Sequence, residues 1–277
     1  MARRAALWVT PLVILLTVAA IVLRHRGSTE PSLPRPDRMA TQDGWVQPFK
    51  NPVIPAGSLR AQGLWNDPDV LKDDGRYVMY LTSSVAEPFK PPIVPFRAVS
   101  LDGINWRLNP KEPVVMPAGT PFVSVETPSV VKFHGAYHMF FTGVYPESRQ
   151  GVMAVGHAQS ADGIHWTVTP RPVISPTLDP RDWNGFLVSE PGAIVRNDEI
   201  FVYFCALRAR PGGRPPQDQS IGLAKTSDGV TFGPAVKVLS QSALYPPEKG
   251  FAGYSTPQPF ELDGRVHLLY DVILYQA

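Results

Sequence analysis

"VETPSVVKFHGAYHMFFTG", residues 125–143, contains an acid, a proline, a short apolar run, a turn with glycine and then alternating aromatics. "WNDPDVLKDDGRYVMYLTS" (65–83) has nearly the same grammar. "VSEPGAIVRNDEIFVYFCA" (188–206) is a third copy and "YSTPQPFELDGRVHLLYDV" (254–272) a fourth. The aligned prolines, Pro68, Pro128, Pro191 and Pro257, are 60, 63 and 66 residues apart. A second phrase keeps the same beat: "SLDGINW" (100–106), "SADGIHW" (160–166) and "TSDGVTF" (226–232). A third also recurs: "NPVIPAG" (51–57), "EPVVMPAG" (112–119), "RPVISP" (171–176) and, more weakly, "VKVLSQ" (236–241). Three signals in one order at one period mark internal repeats.

Each unit reads as strands. Tyr77, Met79 and Leu81 alternate with Val78, Tyr80 and Thr82 between turn residues. Asp74-Gly75, His134-Gly135 and Asp263-Gly264 stand where a hairpin reverses, and such pairs tolerate positive φ. "GVMAVGHAQSADG" (151–163) supplies a third strand, and the Pro-Val-Ile phrase is expected to supply a fourth. Beyond the N-terminus no long helical period is present, and 31 prolines oppose helices. Four strands per unit, repeated radially, predict an all-β fold, a β-propeller of four-stranded blades. A stack of β-sandwiches needs about 100 residues per unit, more than this period provides. The count gives three whole blades, half of another and an orphan strand at 51–57, expected to close the ring by pairing with the last blade.

Composition sets bounds. At 44% hydrophobic residues the chain can bury a large core. The formal charge is +2, and outside residues 1–30 the body is nearly neutral, which argues against a nucleic-acid partner. Cys205 is the single cysteine and reads as a buried core thiol. "AALWVTPLVILLTVAAIVL" (5–23) is uncharged and flanked by Arg3-Arg4 and Arg24-His25-Arg26. It reads as a transmembrane signal anchor, with a cleaved signal peptide as the alternative. The expected organisation is therefore a membrane segment at 1–26, a Pro-rich linker at 27–44 and the propeller at 45–277. The propeller is expected outside the cytoplasm, either anchored or secreted.

In a propeller the first strand of each blade lines the central axis, so equivalent positions converge at one end of a funnel. Acids brought together there suit glycoside hydrolysis, which needs one protonated and one ionised carboxyl. Trp65, Asn66, Trp183, Asn184, Arg208 and Tyr254 are candidates to hold a sugar. The competing reading makes each acid before a proline a turn cap. Asp102, Asp162 and Asp228 read as turn residues, and Trp106 and Trp166 as packing between blades. His134 and His138 lack metal-ligand spacing; neither metal nor cofactor is expected.

"WNDPDV" and the S-x-D-G-x-x-W phrase resemble the five-bladed propeller glycoside hydrolase clan of invertases, levansucrases, arabinanases and β-xylosidases. The resemblance covers about residues 45–275. It implies a five-bladed propeller acting on carbohydrate, with Asp67 as base or nucleophile, an acid near Glu126 on the second blade and Glu190 as general acid. Asp67 and Glu190 directly precede their prolines, whereas Thr127 fills the aligned place on the second blade and Glu126 lies one residue earlier. Blade order favours Glu190 as the acid; the local Glu-x-Pro spelling favours Glu126. The leading reading is a glycosidase cleaving a furanosyl or related bond. A non-catalytic carbohydrate-binding propeller and a glycoside phosphorylase are the alternatives, the latter requiring a basic cluster at the pore.

Overall fold

The computed structural model describes residues 52–60, 63–86, 90–146, 153–208, 219–240 and 251–274. The expectations for residues 1–26 and 27–44 lie outside the described residues. The innermost strand of each unit is β1 (Asn66–Asp73), β5 (Ser124–Phe133), β9 (Leu187–Arg196) and β13 (Phe251–Leu262). Each pairs antiparallel with the next strand: β2 (Arg76–Ser84), β6 (Ala136–Val144), β10 (Glu199–Leu207) and β14 (Arg265–Leu274). The connecting hairpins turn on residue pairs that both have positive φ: Asp74-Gly75, His134-Gly135, Asn197-Asp198 and Asp263-Gly264. This is the backbone of a type I′ turn, whose twist suits a two-residue hairpin. The Asn197-Asp198 turn achieves it without glycine.

Third strands β3 (Ile93–Ser100), β7 (Met153–Ser160) and β11 (Gln219–Thr226) add to the first three units. Short fourth strands follow: β4 (Arg107–Leu108), β8 (Thr167–Val168) and β12 (Val236–Leu239). Among the described residues the first three units are therefore four-stranded blades and the fourth has two strands. One parallel pairing, Gln219 with Gly253, links the third and fourth units.

Two expectations about outer strands are corrected. In the first two units the fourth strand begins directly after Trp106 or Trp166, not at the Pro-Val-Ile phrase. That phrase runs alongside through a few bonds, Val114 N–H to the Pro95 carbonyl and Val173 N–H to the Val155 carbonyl, because its prolines cannot donate to a ladder. Residues 52–60 form bends and turns, not an orphan strand. Ile54 and Leu59 pack instead on the Met79, Leu81 and Phe96 face of the first blade.

The core lies in the seams between blades, which explains why the middle strands are buried on both faces. Val78, Tyr80 and Val99 meet Val125, Met139 and Phe141 between the first two blades. Phe133, Phe140 and Val155 meet Ile200, Val202 and Phe204 between the second and third. Trp166 packs edge-on against Tyr80 at 5.7 Å, and Phe232 against Phe140 at 5.8 Å, one blade reaching the preceding one each time. Trp106, the first of this series, packs on its own blade. Asp102, Asp162 and Asp228 cap their turns: each carboxylate accepts two backbone amides, which holds it well below the usual carboxylate range.

Candidate active site

The four prolines mark one repeated distortion. Asp67, Thr127, Glu190 and Thr256, the residues before them, all have positive φ, of 50°, 45°, 51° and 47°. At the same point the register of each hairpin slips, as in a β-bulge. A non-glycine residue in this region costs on the order of 1–3 kcal/mol and persists where its surroundings impose it. Four copies at one height on the inner strands form a ring of strained positions.

Hydrogen bonds pass around that ring from blade to blade. The Asp67 carboxylate is bonded by the Thr127 amide. The Glu190 amide donates to Thr142 Oγ1 at 2.7 Å, and the Thr256 amide donates to Glu190 Oε2 at 2.9 Å. A second set of partners comes from the neighbouring strand of each blade. Thr82, Thr142, Cys205 and Asp271 stand opposite Asn66, Glu126, Ser189 and Ser255 in register. Thr82 Oγ1 donates to Asp67 Oδ2 at 2.9 Å, Thr142 Oγ1 bonds Thr127 Oγ1, the Cys205 thiol donates to the Tyr254 carbonyl at 3.7 Å, and Thr256 Oγ1 donates to Asp271 Oδ2 at 2.7 Å.

The electrostatics bring the three proposed acids together. Burial raises the Asp67 carboxyl above its ordinary value, against the bonds from Thr82 and Thr127 that lower it. Burial pushes Glu126 up to about 7, and the Asp67 charge adds to the effect. Glu190 also reaches about 7, again through burial first, with Asp67 and Asp271 contributing. Carboxyls that feel one another cannot all ionise at low cost, so protons are retained within the group near neutral pH. Cys205 is fully buried beside Glu190, and burial holds its thiol protonated.

The six candidate sugar contacts have these surroundings. Trp65 packs edge-on against Phe96 at 5.3 Å, with the Arg60 guanidinium over its ring. Asn66 is half-buried, and its carbonyl accepts from Thr82 Oγ1. Trp183 stacks on Phe204 at 6.0 Å in the third blade, and the adjacent Asn184 is 6% exposed. Tyr254 is 1% exposed and packs on Tyr270. Arg208 is exposed and donates to the Arg181 carbonyl. Asp271 belongs to the ring and was not anticipated. Its signal is a register position, opposite the residue before the strained slot, which the repeated phrase does not display. Among the described residues no group of His, Cys, Asp or Glu has the arrangement of a metal site.

Residues 126–249 match the glycosyl hydrolases family 32 N-terminal domain, a stretch just under half of the chain. No curated protein matches the sequence. The fold is similar to a thermostable family-43 glycoside hydrolase, at 16% identity and a TM-score of 0.60 over 76% of this chain and 64% of that one. A family-32 β-fructofuranosidase of Bombyx mori has 15% identity and a TM-score of 0.59, over 76% of this chain and 42% of that one. A family-43 enzyme of Xanthomonas citri complexed with xylotriose has 14% identity and a TM-score of 0.55, over 76% of this chain and 66% of that one. The chain thus spans between about two fifths and two thirds of these structures. The clan-level resemblance first visible in "WNDPDV" and S-x-D-G-x-x-W holds in both the domain match and the fold.

Proposed function

We propose that this protein is a glycoside hydrolase whose reaction is carried by Asp67 and Glu190, with Glu126 between them as the second-blade acid. The observation that supports this reading most is that Asp67 and Glu190 fill the same strained slot on their inner strands, with Glu126 one residue before the slot on the strand between, and the Asp67 charge acts on both glutamates. Both glutamates are raised to about 7 and can hold a proton at neutral pH; the donor we assign is Glu190. It would give that proton to the departing glycosidic oxygen. Asp67, whose Oδ2 is fixed by Thr82, would attack the anomeric carbon or take a proton from water. The products are the free sugar and the aglycone alcohol, with one water consumed.

Glu190 is preferred to Glu126 as the donor because it occupies the strained slot equivalent to Asp67. Glu126 sits one residue before the corresponding slot, in the register place of Asn66. The two roles separate by leaving group. Removing a general acid costs about 10²–10⁴-fold on a poor leaving group and far less on an activated one. Glu190→Gln should therefore retain turnover of a dinitrophenyl glycoside while losing that of the alkyl glycoside. If Glu126→Gln shows this pattern instead, the assignments exchange.

The substrate class we infer is a furanosyl or related pyranosyl glycoside, since similar folds include a β-fructofuranosidase and a xylotriose complex. Thr127 in the second slot, where its neighbours in the first and third blades carry acids, favours one second reading: a propeller that binds sugar without cleaving it. Binding by calorimetry without released sugar would select it. We also propose that residues 5–23 anchor the chain in a membrane, with the propeller outside the cytoplasm. Recovery of the full chain in the soluble cytoplasmic fraction would overturn that placement.

A further inference from the structure

We propose that Asp271 is a positioning residue for Glu190, acting through Thr256. This rests on the reading of Glu190 as the proton donor. In the first unit the slot residue is an acid, Asp67, and its partner on the next strand is a hydroxyl, Thr82. In the fourth unit the roles are exchanged: the slot residue is the hydroxyl, Thr256, and the partner is the acid, Asp271. The fourth unit therefore delivers a carboxylate to the ring even though it has no acid before its proline.

Thr256 then links two carboxyls by its two donors. Its amide holds Glu190 Oε2 at 2.9 Å and its hydroxyl holds Asp271 Oδ2 at 2.7 Å. With Oε2 accepting that amide, Oε1 is the oxygen favoured to carry the transferable proton. Asp271 fixes the Thr256 side chain and with it the backbone turn that presents the amide. Thr256 is in the left-handed region, φ 47°, so its orientation needs such support. Both Thr256 and Asp271 are solvent-exposed, unlike Glu190. The Asp271 charge also opposes loss of the Glu190 proton, the same direction as burial.

The test separates charge from position. Asp271→Asn keeps an oxygen for the Thr256 hydroxyl and removes the charge; Asp271→Ala removes both. Glu190 is followed directly by carbon-13 NMR titration of labelled glutamate carboxyls, assigned by its loss in Glu190→Gln. In parallel, the pH dependence of kcat/KM is measured on an alkyl glycoside. For Asp271→Asn the Glu190 titration should move to lower pH by on the order of half a unit. The basic limb of kcat/KM should move with it, with the low-pH rate retained. For Asp271→Ala the rate should also fall about tenfold or more at every pH, and Thr256→Val should reproduce that loss. Superimposable Glu190 titrations in wild type and Asp271→Asn, or full low-pH rate in Asp271→Ala, would overturn the proposal. The titration reads the coupling even if no glycoside is cleaved, so failure of the hydrolase reading is distinguishable from failure of this one.

Discussion

Gln258 Nε2 donates a hydrogen bond of 3.2 Å to Asp69 Oδ1, joining the inner strands of the fourth and first units across a separation of 189 residues. The other oxygen of Asp69 accepts the Val130 amide of the second unit at 2.8 Å. One buried carboxyl thus ties together the first, second and fourth units. Ser129 repeats half of the arrangement one blade on, its Oγ accepting the Ala193 amide at 2.9 Å.

Replacing Asp69 should separate its bonding from its charge. Asp69→Ala leaves the buried Val130 amide without its partner and should destabilise by about 1–3 kcal/mol. Asp69→Asn keeps an acceptor and should cost less. Burial raises the Asp69 carboxyl to about 6, so the folded state binds its proton more tightly than the unfolded state does. The associated stability is complete below the ordinary value of 3.8 and is lost as pH rises through about 6. Relative to wild type, Asp69→Asn should gain stability between pH 4 and pH 7 in urea titrations. A difference independent of pH would contradict the account.

Gly192 stands where the equivalent positions carry Asp69, Ser129 and Gln258. A Cβ there would lie 1.8 Å from the Pro257 carbonyl oxygen on the next inner strand. Neither backbone can give way cheaply in a close-packed seam. Gly192→Ala should cost about 2–4 kcal/mol, read as a drop in the midpoint of thermal unfolding. An unchanged midpoint would mean the third and fourth inner strands are not this close.

An acid-sensitive pair lies between the second and third blades. His138 Nδ1 and His157 Nε2 are 3.1 Å apart, and His157 Nδ1 meets Thr169 Oγ1 at 2.8 Å. His134 and Asp228 are the other ionisable groups that influence the pair. Burial, aided by the charge of its partner, lowers His157 to about 4. Its neutral form is favoured in the fold, so the stability it contributes is present above pH 6.5 and is lost as pH falls toward 4. His157→Gln should unfold less readily than wild type at pH 4.5 relative to pH 7.5. Equal pH dependence in the two proteins would remove the pair from the acid response.

Glu126 and Glu190 give the opposite dependence. Both are raised from 4.5 to about 7, so the protonated fold is the stable one and stability falls as pH rises through 7. Glu126→Gln and Glu190→Gln should each be more stable than wild type at pH 8 and nearly equal to it at pH 4. Greater loss of stability at pH 8 than at pH 4 would mean the carboxylates are favoured in the fold. Gains of this kind at functional residues accompany loss of activity.

The prolines made most of this architecture legible. Each one lies within a bulge, directly after its strained slot, so aligning Pro68, Pro128, Pro191 and Pro257 aligned the slots as well. The hairpin turns were equally visible at Asp74-Gly75 and Asp263-Gly264, but Asn197-Asp198 lacks the glycine that signals them. The fourth strands of the first two units were misplaced because two residues such as Arg107–Leu108 carry no period, whereas the Pro-Val-Ile phrase looks like a strand and its prolines cannot donate to a ladder; in the third unit β12 does fall on the phrase's weaker copy. The partner ring of Thr82, Thr142, Cys205 and Asp271 was invisible for another reason. It consists of two threonines, a cysteine and an aspartate related only by register with the preceding strand. Contacts such as Gln258 to Asp69 depend on how units meet around the axis, and no local pattern encodes them.

The most direct measurement is release of reducing sugar from a panel of fructofuranosyl, arabinofuranosyl and xylopyranosyl substrates by wild type and Asp67→Asn, with folding checked by circular dichroism. The account predicts turnover of at least one substrate by wild type and a loss of about 10³-fold or more in a folded Asp67→Asn protein. Undiminished turnover by folded Asp67→Asn, or sugar binding by wild type with no cleavage of any substrate, would contradict it.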